Sequence, residues 1–174
     1  MKAALILLSA LLTAANACTL DGCDHPDCGG CGGACCKLAI TINESTESVM
    51  NKLNASIASG GPDGLYTGMM TAEGTLTFGD LRAYDKQIDF IGQAEHLTIN
   101  GLYTDTVNFA LAPLSDTSTE VKAFSISQIA GAYCDDGQNY LNILQLVQGV
   151  KWVDGDLELD QVSHLDDSCP EPTE

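Results

Sequence analysis

Between Leu65 and Ile129 the apolar residues fall at every second position in short runs, a spacing that turns into a single face only when the chain is extended. The runs are Leu65–Thr71, Gly74–Phe78, Gln87–Gly92, His96–Ile99, Thr106–Ala112 and Val121–Ile129. Turn formers such as Asn100-Gly101 and Ser115-Asp116 separate them. Lys37–Ile42 alternates in the same way and adds a strand ahead of them. Two stretches keep a helical period instead. Ser45–Ile57 sets Val49, Leu53 and Ile57 one turn apart, with Ser45 as N-cap and Gly60-Gly-Pro-Asp-Gly64 as stop. Gln138–Gln148 puts Tyr140, Leu141, Leu144 and Val147 on one face and stops at Gly149. Val150–Val153 and Asp156–Val162 are predicted to close the body as strands. This order predicts an α+β domain over residues 37–165, an antiparallel sheet with two helices on one face. No internal repeat interrupts it.

Ahead of that domain, Cys18, Cys23, Cys28, Cys31, Cys35 and Cys36 crowd into nineteen glycine-rich residues, 18–36. Such a head has too little apolar material for a core, so cross-links must hold it. With Cys134 and Cys169 the count reaches eight. An even number in an oxidising compartment reads as disulfides, although eight cysteines leave the pairing open. A bond between Cys134 and Cys169 would close a loop of about 35 residues and stabilise by roughly 3–4 kcal/mol. A zinc site is the competing expectation. Cys28-Gly-Gly-Cys31 has the spacing, and His25 with Cys35 or Cys36 would complete a tetrahedron. The export route favours disulfides.

That route is read from the N-terminus. Lys2, the apolar run from Ala3 to Leu12 and the Ala15-Asn16-Ala17 exit are the parts of a signal peptide over residues 1–17. The run is too short for a bilayer, which takes roughly twenty residues. No other apolar stretch is longer, so no membrane span is expected, and the tail 166–174 is polar and acidic. Asn43-Glu-Ser45 and Asn54-Ala-Ser56 are sequons, and Asn43 and Asn54 are the expected glycosylation sites of a secreted protein. The formal net charge of −17 repels nucleic acid and attracts cations, basic extracellular proteins or a positively charged mineral surface.

Candidate chemistry is sparse. His25, His96 and His164 are the only histidines, and no Gly-x-Ser-x-Gly elbow accompanies them. A lone strand histidine such as His96 reads as a surface or cross-strand partner. The glycines at 29–33 lack the lysine and following helix of a phosphate cradle. No cofactor is implied, and an enzyme is not the expectation. One pattern stands out. Asp154, Asp156, Glu158 and Asp160 alternate in Val153–Val162, and on a strand they would share one face at about 7 Å intervals. A bound cation would relieve their repulsion. Leu159 and Leu165 stand where an EF-hand needs glycine and glutamate, so the expected calcium affinity is weak, about 0.1–1 mM.

Three stretches also carry a resemblance. Thr104-Asp-Thr-Val-Asn-Phe109, Val121-Lys-Ala-Phe-Ser-Ile-Ser127 and Asp135-Asp-Gly-Gln-Asn139 resemble a domain-of-unknown-function family. That family has an Asp-Asp-x-x-Phe strand, a Ser-x-Ser strand and an Asp-x-Gly-x-Asn turn into a helix. The match covers about residues 104–147. It departs at Gln128, where the family has arginine, and Tyr133-Cys134 precede the turn. The resemblance implies this order of elements and no activity.

The expected function is therefore a structural or interaction role in an extracellular matrix, including a calcified one, with weak calcium association. The alternatives are a secreted module that binds a small apolar ligand and a secreted enzyme of unrecognised type.

Overall fold

The computed structural model describes residues 34–165 apart from 72, 73, 76, 85, 86, 130, 131, 133, 134 and 136. The signal peptide, most of the head with His25, the tail, and Cys18, Cys23, Cys28, Cys31, Cys134 and Cys169 lie outside the described residues. Cys35 and Cys36 are described. Both are buried and both are disulfide-bonded.

The described residues open with β1 (Cys35–Ile42), which starts inside the stretch expected to be head. Helix α1 (Thr46–Ala58) follows, with the Ser45 hydroxyl accepting from the Ser48 N–H as the cap read from sequence. Then come β2 (Tyr66–Gly68), the short β3 (Met70–Thr71) and β4 (Gly74–Thr75), β5 (Phe78–Asp80), β6 (Phe90–Leu97), β7 (Thr104–Ser115) and β8 (Ser118–Ser127). Helix α2 (Gln138–Gln148) and β9 (Val162–His164) complete it. Seven strands form one sheet in the order β2-β6-β7-β8-β1-β9, with β5 also on β6; every pairing is antiparallel. Strands β3 and β4 pair separately. The architecture is α+β, as the order of periods predicts.

Register explains the core. Ile40, Val121, Leu111 and Phe90 stand side by side across β1, β8, β7 and β6, and Leu38, Ala123 and Phe109 form the next row. These rows and Val49, Leu53, Ile57, Ile143, Leu146 and Val147 of the two helices make one buried cluster. Both helices therefore rest on the same sheet face.

The last segment departs from expectation. Residues 150–161 do not form the two predicted strands: after Trp152 the chain turns back, bridging Trp152 to Gly155, and a short 3₁₀ turn runs over Leu159–Gln161. Gly155 has φ +108°, which a side chain would resist, and Leu157 turns inward. The alternation at Asp154, Asp156, Glu158 and Asp160 is thus spread over a turn, a bend and a 3₁₀ turn.

Candidate ligand cleft

Strand β7 shows how a site is written into a core pattern. Its inward positions are Asp105, Val107, Phe109 and Leu111, all buried, so an aspartate occupies the end of an apolar series. Strand β6 does the same with Phe90, Ala94 and His96. Register then sets Tyr66, His96, Asp105 and Ser127 in one row across β2, β6, β7 and β8. Tyr66, His96 and Asp105 are each at most 3% exposed. A polar row this deep must be hydrogen-bonded or carry a free-energy cost.

Most of it is. Asn142 of α2 donates from Nδ2 to Asp105 Oδ2 (2.8 Å) and to Ser125 Oγ (3.2 Å), and Ser125 donates to Asn139 Oδ1 (2.6 Å). Asn139 Nδ2 reaches the Ala34 carbonyl at 2.9 Å and Asp135 Oδ2. Asp135 also accepts from the Gly137 N–H (3.1 Å) and the Asn139 N–H (2.8 Å), holding the α2 entry, where Gly137 has φ +78°. The aspartate is therefore a turn and cap residue, as its sequence context suggests. Tyr66 donates its hydroxyl to the Asn142 carbonyl at 2.6 Å. Burial, then the charges of Asp63 and Asp105, push its phenol well above the usual range, so it stays a donor.

His96 lies 2.9 Å through Nε2 from Asp63 Oδ2, against the Tyr66 ring at 4.4 Å between centroids. The carboxylate assigns the hydrogen to Nε2. Nδ1 is buried and has no partner. Of the two readings made from sequence, surface or cross-strand partner, His96 is the second, paired with Tyr66 and buried because position 96 is in phase with the inward residues of β6.

Asp105 also faces a cleft of about 450 Å³ between the β6–β7 turn and the start of α2, within the size range of small-molecule sites. Ser127, Asp135 and Gln138 share its floor, and Ile99, Tyr103 and Ile129 its walls. Burial pushes the Asp105 carboxyl above its ordinary value. The nearby negative charge of Asp135 adds to this, while hydrogen bonds from Asn142 and Ser127 oppose it. The rim is apolar and open at Ile99, which is 94% exposed, and Leu102, in the same turn but outside the lining, is 71% exposed. These residues are held out by a built turn. The Thr98 hydroxyl donates to Asn100 Oδ1 (2.8 Å), which also accepts from the Leu102 N–H (2.9 Å).

Asp105, Ser125, Ser127, Asp135 and Asn139 come from the three stretches quoted for the family resemblance, and the fold brings them together here. The acid comb behaves otherwise. Asp154, Asp156, Glu158 and Asp160 are exposed; the first two border a depression of about 20 Å³, and the other two do not. Among the described residues no three His, Cys, Asp or Glu side chains come together as a group that could hold a metal ion. Asn43 and Asn54 are exposed, and His164 stacks edge-on to Tyr140. No described helix is long and apolar enough to cross a membrane. No protein-family profile, curated protein or solved structure matches the chain.

Proposed function

We propose that this chain is an exported binding module, its head over 18–36 cross-linked by disulfides, that holds a small molecule in the cleft above Asp105. The observation that carries the reading is the pairing of a buried, helix-backed polar floor with an exposed apolar rim. Exposed isoleucine and leucine at a rigid turn have a hydration cost that a ligand's apolar body would remove. The polar floor replaces the purely apolar interior expected of such a module, so the ligand is amphipathic. An acid comb serving a matrix would gain from carboxylates that converge, and these do not. Carbohydrate on Asn43 and Asn54 would leave the cleft clear, since both lie at α1 and its approach.

Titration with a neutral solvatochromic dye such as Nile red tests this. One saturable site is expected, and Ala132→Trp, which fills the cleft from its lining, should abolish it. Equal dye binding by wild type and Ala132→Trp would overturn the proposal.

A further inference from the structure

We infer that the cleft selects an organic ammonium ion, a protonated amine carried on an apolar body. The inference rests on the binding reading above and adds the charge of the ligand. It follows from what the row has already used. The donors at its floor are turned onto protein acceptors: Asn142 onto Asp105 and Ser125, Ser127 onto Asp105, Gln138 onto Asn142 at 2.7 Å. Acceptors are left over. A carboxylate offers about four acceptor positions, and the Asp105 carboxylate has two side-chain donors, Asn142 and Ser127. A ligand that fits must bring hydrogens, and an ammonium brings up to three on one atom.

Charge points the same way. Asp105 and Asp135 face the cleft together, and among the described residues no lysine or arginine lines it. Neither does the sequence supply one nearby, for residues 87–121 and 123–150 contain no lysine or arginine. Lys122, between those stretches, alternates out of phase with the inward Val121 and Ala123 and pairs with Glu120 at 3.0 Å. A carboxylate ligand would meet two like charges at low dielectric, and a neutral alcohol would leave them repelling. An ammonium between them lowers that repulsion while Ile99, Tyr103 and Ile129 cover its carbon chain.

Calorimetric titration at pH 7.5 with hexylamine, hexanol and hexanoate separates the outcomes. Hexylamine should bind at least about tenfold more tightly than hexanol, and hexanoate least of all. Asp105→Asn should erase the preference for the amine while keeping the affinity for hexanol. Ala132→Trp should lose all three. Equal binding of amine and alcohol, or stronger binding of hexanoate, would overturn the ammonium assignment and leave the binding module standing. Amine uptake that survives in Ala132→Trp would place it on the general acidic surface and sink the inference. If none of the three binds, the module reading falls with it.

Discussion

Glu44 and Asp105 are both buried carboxylates, and they sit by opposite ends of β8 with opposite surroundings. Glu44 follows β1, where its carbonyl accepts from Thr119 at 2.7 Å. Its side chain accepts from Lys52 Nζ, Ser48 Oγ and the Val153 N–H, each at 2.6 Å. Burial alone would raise its pKa, but these hydrogen bonds and the Lys52 charge outweigh it and hold the carboxyl below its ordinary 4.5. Burial raises the pKa of Asp105 and a second aspartate nearby adds to it, and the neutral donors Asn142 and Ser127, with His96, do not offset them. The first acid ties α1, β8 and the turn after Trp152 into one corner. The second keeps unused acceptor capacity beside a cleft. Satisfied burial builds structure, and incomplete satisfaction marks a site.

The largest effect should come from the satisfied corner. Glu44→Ala strands Lys52, Ser48 and the Val153 N–H, and should lower stability by about 3 kcal/mol, or roughly 10 °C in Tm by calorimetry. A loss below about 1 kcal/mol would mean the corner is solvated and the contrast false.

Next is the pH dependence, where the two acids should pull in opposite directions. The lowered pKa of Glu44 gives stability that is present above 4.5 and is lost as pH falls through its folded value. The raised pKa of Asp105 gives stability that is present below 3.8 and is lost as pH rises through its folded value. Urea unfolding from pH 3 to 7 should therefore show the deficit of Glu44→Gln shrinking toward acid. Asp105→Asn should gain on the wild type toward neutral pH, by up to about 1 kcal/mol. Parallel profiles would break the comparison.

Smaller still, Ile99→Ser with Leu102→Ser should shift stability by no more than about 0.5 kcal/mol, because both side chains are already in water, while dye binding drops. A large loss of stability would show that the rim is structural. Least of all, changing Asp154, Asp156, Glu158 and Asp160 to Asn or Gln should move the unfolding midpoint by less than about 0.5 kcal/mol, read by the same urea curves.

Much of this protein was legible before folding. Both helices stand where a 3.6 period and their stops put them, and Ser45 caps as its position requires. The strands from Thr104 to Ser127 follow their alternation. The cleft residues were partly legible as well. Asp105 is in phase with Val107, Phe109 and Leu111, and Asn139 and Asn142 interrupt an apolar helix one turn apart. A polar residue in an inward phase signals a buried network, and that signal went unused. The comb at Asp154–Asp160 misled for the converse reason: alternation fits any extended stretch, and the Asp154-Gly155 turn signal inside it was outweighed by that alternation.

The sequence by itself determined the period of each element, the caps and breakers between them, and the lack of lysine and arginine along 87–121 and 123–150. Those properties belong to single residues and near neighbours. Only the tertiary structure decided that Tyr66, His96, Asp105 and Ser127 form one row, that Asp63 takes the His96 hydrogen, and that α2 lays two asparagines over them. Strand order and register bring together residues up to about sixty positions apart in the chain. Many registers are compatible with the same alternation, and the choice among them is made by the packing of the whole core.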